Sequence, residues 1–171
     1  MALEPLEFRA LIEQHQKMVF SLALRVIGEY ATAEEVAQDV FLELYRGVDR
    51  LESDDHVRFW LRRATVHRAT DALRRTARQP ETGGEEWMEE QHVDEDAPVV
   101  SAAVVARLEE LLTALPEALR VAVVLRYQED MSPDEIATLL AQPVATVKSN
   151  LRRGLKLLRR KAAVTMKEYV R

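Results

Sequence analysis

The chain has 171 residues, enough for one medium domain or two small ones, and its 47% apolar and 31% charged side chains belong to a globular protein rather than a disordered or fibrous one. It has no cysteine, which excludes disulfides, thiolate nucleophiles and cysteine-bound zinc or iron–sulfur centres, while only 5 glycines and 6% aromatics favour helices over sheets. The net charge of −5 argues against nucleic acid only as an average: residues 1–78 carry 12 basic and 13 acidic side chains, 79–100 carry 0 and 8, and 101–171 carry 12 and 8.

The N-terminus MALEPLEFRALIEQHQ has acids where a signal peptide needs a basic flank and an apolar core, and no apolar run reaches membrane-spanning length, so the expectation is a cytoplasmic protein without membrane insertion. Phe8, Leu11, Ile12, His15, Val19, Leu22, Ala23 and Val26 recur at helical spacing and predict one long amphipathic helix ending near Gly28. Thr32-Ala-Glu-Glu35 reads as a capping box opening a second helix, with Val36, Val40, Phe41 and Leu44 inward, Gly47 near its end, and Glu35, Gln38, Asp39, Glu43 and Arg46 on the other face.

Ser53-Asp-Asp55 can cap a third helix running from about His56 to Arg78. Between Arg58 and Arg78 stand seven arginines against one acid, Asp71, with Phe59 and Trp60 beside them. Trp60, Ala64, His67 and Asp71 form one stripe, and Leu61, Thr65, Ala69 and Ala72 a neighbouring one. An aromatic among guanidiniums supplies what single-stranded bases need for stacking and their phosphates for neutralisation, although a tryptophan is also an ordinary core residue.

Residues 79–100, QPETGGEEWMEEQHVDEDAPVV, read as a flexible acidic linker: either a solvated tether or an acidic strand occupying a basic channel otherwise used by nucleic acid, with Trp87 and Met88 favouring some docking. After it, Val104, Val105, Leu108, Leu111, Leu112 and Leu115 mark a helix that stops at Pro116, and a next one carries Leu119, Val123 and Tyr127 inward. Ser132-Pro-Asp-Glu135 is a second capping box, opening a short helix Pro133–Leu140; Ala141-Gln-Pro143 ends it, and a last helix runs from Val144 to about Ala162. Two helices joined by a tight turn, the second basic, form a helix-turn-helix pattern. Val147, Leu151 and Leu158 face inward there, opposite Thr146, Ser149, Arg152, Arg153 and Lys156. Small polar and basic side chains near the helix start suit base edges, and basic ones further on suit phosphates. The fold class is thus all-α, with two small helical domains, 1–78 and 101–171, joined by the acidic linker.

Taken in order, these stretches resemble the extracytoplasmic-function sigma factors of bacterial RNA polymerase over about residues 8–78 and 103–162. Ala33-Glu-Glu-Val-Ala-Gln-Asp-Val-Phe-Leu42 resembles the family's polymerase-docking helix, and Phe59-Trp-Leu61 with Asp71-Ala-Leu-Arg-Arg75 the helix that melts and reads the −10 element. Leu115-Pro-Glu117, Val124-Leu-Arg-Tyr127, Ser132-Pro-Asp-Glu-Ile-Ala137 and Val144-Ala-Thr-Val-Lys-Ser149 resemble the −35-reading domain. The resemblance implies a non-enzymatic initiation factor whose partners are core RNA polymerase and promoter DNA, duplex at −35 and opened at −10, with no cofactor and no metal. It implies that Glu35, Gln38, Asp39 and Phe41 meet the clamp helices of the largest polymerase subunit, Phe41 in part from the core. It assigns Trp60, Arg63, His67, Asp71, Arg74 and Arg75 to the opened −10 strand, and Thr146, Lys148, Ser149, Arg152 and Arg153 to the −35 duplex. Such linkers are thought to thread the polymerase's basic cleft, and members of the family are often held by an anti-sigma protein.

The chain departs from the family at His67, where Asn is frequent, at Ala141-Gln142 for Gly-Ile, and at Ala145 and Asn150 for Gly and Arg. The fold reading is unaffected by these, since alanine is accommodated wherever no positive φ is demanded. A stand-alone helix-turn-helix regulator, binding an operator as a dimer, is the alternative; it leaves the Trp/Arg-rich third helix unexplained, and no dimerisation element is evident. An enzyme is a third class: His67 and Asp71, one turn apart, could bind a metal or share a proton, and His15, His56 and His92 are available elsewhere, but no H-E-x-x-H, phosphate loop or nucleophile motif supports it.

Overall fold

The computed structural model describes residues 5–47, 51–78 and 102–166; the expected linker lies outside them. Among the described residues all regular structure is helical: α1 (Pro5–Ile27), α2 (Tyr30–Gly47), α3 (Asp54–Arg78), α4 (Ala102–Thr113), α5 (Glu117–Tyr127), α6 (Pro133–Leu140) and α7 (Val144–Met166). The all-α expectation holds. The order of helices follows the hydrophobic spacing, because each stripe needs a neighbour to bury it.

In the N-terminal half, α1, α2 and α3 pack around Val19, Ala23, Val36, Val40, Leu44, Val57 and Leu61, all buried. Full burial of each such Val or Leu contributes about 1.5–3 kcal/mol. On α3 the stripe of Leu61, Thr65, Ala69 and Ala72 faces inward, and the Thr65 hydroxyl donates to the Leu61 carbonyl at 2.6 Å rather than remaining unpaired. Ser53 caps α3 as expected, its oxygen accepting from the His56 N–H at 3.2 Å.

The cap of α2 is a correction. Thr32 does not open the helix; α2 begins at Tyr30, and the Glu29 carboxylate accepts from the backbone N–H groups of Ala31 at 3.2 Å and Thr32 at 3.1 Å. The Thr32 hydroxyl also donates to Glu29. Because α2 begins one turn earlier than a Thr32 cap would place it, the free amides are those of Ala31 and Thr32, which Glu29 reaches while bringing a full negative charge to the positive end of the helix.

In the C-terminal half, α5 is the buried centre: Leu119, Val121, Ala122, Val123, Val124 and Leu125 are all covered. Tyr127, expected inward, is instead 61% exposed at the end of α5. The α5 helix is enclosed on several sides, so the single inward stripe read from Leu119 and Val123 is too narrow a description of it. Gly154 of α7 allows α5 to approach closely, since a Cβ there would lie 2.8 Å from a Val123 methyl.

The capping box of α6 is present in both directions. Ser132 accepts from the Glu135 N–H at 3.2 Å, and the Glu135 carboxylate accepts from the Ser132 N–H at 2.7 Å. The turn that follows departs from expectation: Ala141 has φ 52° and ψ 47°, a left-handed residue whose N–H bonds back to the end of α6, and the Gln142 N–H reaches the Ala137 carbonyl at 3.0 Å. The positive φ is therefore demanded here, and alanine occupies a position where glycine carries no Cβ penalty. The last helix runs to Met166, beyond the expected end near Ala162.

The two halves pack against each other. Leu22, Val26, Val66 and Ala69 of α1 and α3 share one apolar cluster with Val121, Leu125, Met131, Ile136 and Val147 of the C-terminal half. Gly28 has φ 82° and lies so close to Thr113 that a Cβ would stand 2.5 Å from its methyl. Arg120 of α5 is buried and donates to the Val26 carbonyl at 2.6 Å, to Thr113 at 2.5 Å and to Leu115 at 2.9 Å. These bonds satisfy carbonyls left open at the ends of α1 and α4.

Candidate functional site

Three surfaces carry the residues singled out from sequence. On α3, Arg63, His67, Asp71, Arg74 and Arg75 are exposed, and Arg63, His67, Asp71 and Arg74 follow one another at three- and four-residue steps. Trp60 is half-buried and packs on the N-terminal core, so it combines the core role with partial access. Three of the seven arginines are held by acids: Arg62 by Glu129 at 2.9 Å, Arg68 by Glu43 at 2.7 Å with Asp39 at 3.6 Å, and Arg74 by Glu117 at 3.1 Å with Asp71 at 4.0 Å. A cationic helix with a partly exposed indole suits a negatively charged, stackable ligand.

On α2, Glu35 and Gln38 are exposed and Asp39 is half-buried beside Arg68. Phe41 lies against the core and also lines an open apolar groove of about 700 Å³ between α1 and α2, with Phe8, Phe20, Tyr30, Leu42 and Tyr45. Phe8 packs edge-on against Tyr45, and Phe20 against Tyr30, each at 5.0 Å between centroids. The carboxylates thus sit at the side of an apolar surface, a composition suited to another protein.

On α7, Thr146, Lys148, Arg152 and Arg153 are exposed and Ser149 is half-buried, while Val147 and Leu151 face the core. Asn150 is buried and accepts from Arg153 at 2.8 Å, which holds that guanidinium against the helix. Among the described residues, Lys148, Arg152, Lys156 and Arg159 pair with no carboxylate.

Sequence spacing missed Arg120, Glu129, Glu29 and the cross-helix partners of Arg68. Arg68, Glu129 and Arg120 each have a partner 25 to 94 positions away, while the Glu29 cap is local, and helical periodicity reports only near neighbours. Buried His15 has no hydrogen-bond partner at Nε2; burial, and then the Arg58 charge, hold its pKa below the usual 6.5 against the opposing pull of Asp54. The Ser132 backbone and hydroxyl bonds hold the Glu135 carboxyl below its ordinary value. Among the described residues, no group of three or more His, Asp or Glu side chains is arranged to hold a metal ion, and no helix is long and apolar enough to cross a membrane.

Comparison with known proteins gives matches to two family segments. Residues 11–79 match the family Sigma-70 region 2, and residues 106–158 match Sigma-70, region 4. The chain is 29% identical over 157 residues to the RNA polymerase sigma-H factor of Pseudomonas aeruginosa, covering 86% of this chain and 81% of that protein. It is 27% identical over 166 residues to the ECF RNA polymerase sigma factor SigW of Bacillus subtilis, covering 90% and 87%. Its fold superposes with a TM-score of 0.71 on the sigma factor RpoE of Bartonella quintana, crystallised with the anti-sigma factor NepR, at 18% identity and with 90% and 95% of the two chains covered.

Proposed function

The chain belongs to the sigma-70 family, in its extracytoplasmic-function group, and we propose that it reads the −10 element with α3 and the −35 element with α7 while α2 docks core RNA polymerase. It directs promoter recognition together with RNA polymerase. In this reading residues 1–78 and 101–171 are two domains with separate contacts, and 79–100 connects them through the polymerase cleft.

The assignment of steps follows the chemistry of each surface. Arg152 and Arg153 neutralise phosphates or reach guanine edges in the major groove, and Thr146, Lys148 and Ser149, one turn nearer the helix start, reach bases. On α3, Arg63, Arg74 and Arg75 hold the backbone of the separated strand, Trp60 stacks on a base freed from pairing, and His67 and Asp71 offer hydrogen bonds to base edges. Melting then needs no catalytic group, because binding the unpaired strand in preference to the duplex shifts the equilibrium by mass action. Glu35, Gln38, Asp39 and Phe41 bind the clamp helices of the largest subunit. The protein acts in the cytoplasm, where polymerase and chromosome are, and lends specificity without a chemical step of its own. An anti-sigma protein is a further partner of the kind captured with the Bartonella relative.

The observation that carries this reading is the presence, in one chain and in this order, of two cationic helices on separate faces, each framed by its own family segment. A gel shift tests it. A promoter fragment is retarded sequence-specifically only when core polymerase and the protein are both present; tight specific binding by the protein alone would support the dimeric operator-binding alternative instead.

A further inference from the structure

An exposed arginine on a groove-reading helix can meet a phosphate or a base edge, and its freedom decides which contact carries sequence information. A phosphate accepts a cation from many directions, whereas the O6/N7 edge of guanine needs two parallel N–H groups held in one place. On α7, Arg152 and Arg153 are both exposed, and among the described residues no carboxylate holds either. They differ in one contact: Arg153 Nη2 donates to Asn150 Oδ1 at 2.8 Å.

Asn150 is 6% exposed. It follows Val147 by three residues and precedes Gly154 by four, both buried, so helical spacing fixes its amide at the edge of the core. The bond draws the Arg153 side chain back one turn toward the start of α7. There it lies on the stripe of Thr146 and Ser149, whose short side chains leave the guanidinium the longest group on that line. Because Asn150 is neutral, it orients the guanidinium without cancelling its charge. One N–H group is engaged, and a parallel pair stays free for a base.

We infer that Asn150 is a positioning residue for −35 recognition: by fixing Arg153 in one orientation, it sets the preference of α7 for guanine at one base pair. The inference rests on the promoter-reading assignment. Without Asn150 the guanidinium keeps its charge, and so its attraction to phosphate, but loses its fixed fork. Base preference and salt-dependent affinity then separate. Since Arg153 is exposed, losing Asn150 strands no buried charge, and Asn150→Leu, close to asparagine in volume, preserves the packing of the site.

The test titrates holoenzyme, assembled from core polymerase and the full chain, on promoter duplexes carrying every alternative base pair at each −35 position. Wild type is expected to prefer guanine at one position by about tenfold or more. Asn150→Ala and Asn150→Leu are expected to lower that preference to about threefold or less, with the other positions and the salt slope unchanged. Arg153→Lys keeps the charge without the planar fork, and is expected to lose preference at the same position. A preference that both Asn150 variants leave intact overturns the inference, as does a loss spread evenly over all positions or one at a position that Arg153→Lys does not affect. Wild-type holoenzyme that binds with no −35 preference at all overturns the promoter-reading assignment, and this inference with it.

Discussion

The two helices assigned to DNA differ in how their cations are kept. On α7, Lys148, Arg152, Lys156 and Arg159 have no carboxylate partner among the described residues, and Arg153 is steadied by neutral Asn150. On α3, by contrast, Arg62, Arg68 and Arg74 are all engaged by acids from outside that helix. A cation without a carboxylate partner has only hydration and side-chain freedom to give up on meeting phosphate, whereas a paired one must also give up its partner. The difference suits a duplex reader that is ready on encounter and a strand reader that becomes fully available after rearrangement.

The strongest way to break the comparison is to remove the residue that fastens one region to the other. Arg120→Met leaves the Val26, Thr113 and Leu115 carbonyls without their donor and is expected to lower unfolding stability by about 3 kcal/mol, measured by urea denaturation. Next in size, Arg152→Ala should cost roughly 1–3 kcal/mol in holoenzyme binding; if the contact is to phosphate, the loss is uniform across promoters and the salt slope falls by about 1. The α3 counterpart is Glu43→Ala, which releases Arg68 from its 2.7 Å ion pair. That variant should strengthen holoenzyme binding to a premelted promoter fork while leaving duplex −35 binding unchanged, as read by fluorescence anisotropy on the two probes.

Smaller effects sharpen the picture of each half separately. Ala141→Gly relieves a left-handed alanine at φ 52° and should raise stability by about 1 kcal/mol in a thermal melt. A pH titration separates the halves further. In the N-terminal half, His15 has a lowered folded pKa, so the unfolded chain binds its proton first; stability is full above about pH 6.5 and falls as pH drops toward the folded value. In the C-terminal half, the lowered Glu135 pKa means that its contribution is present above the ordinary carboxyl range and is lost only as pH falls through the folded value. His15→Gln should flatten the higher of these two windows and leave the lower one in place.

The helices were readable because local physics sets them: Val19, Leu22 and Val26, or Val147 and Leu151, repeat at intervals that only a helix brings to one face, and Ser132 with Glu135 closes a cap within four residues. What was not readable depends on distance along the chain or on where a helix starts and ends. Glu29 caps α2 in place of Thr32 because the helix begins one turn earlier, which leaves the amides of Ala31 and Thr32 to be met. Tyr127 carries the period of an inward residue but falls where α5 leaves the core. Ala141 looked neutral until the closing turn required a positive φ. Arg120 and Glu129 have the character of surface charges in sequence, and only the packing of the two halves buries them. Among the candidate site residues, the exposed α7 set was the most legible, since α7 presents polar and apolar faces with little ambiguity. Trp60 and Asp39 were the least, because one also packs on the core and the other belongs to an ion-pair network spanning two helices.

The most direct measurement is run-off transcription by bacterial core polymerase on a randomised promoter library, with and without this protein. The account predicts discrete transcripts only in its presence, from templates sharing two separated elements, with Arg152→Ala altering the upstream one and His67→Ala the downstream one. No protein-dependent transcripts, or enrichment of a single palindromic operator bound without polymerase, would contradict it.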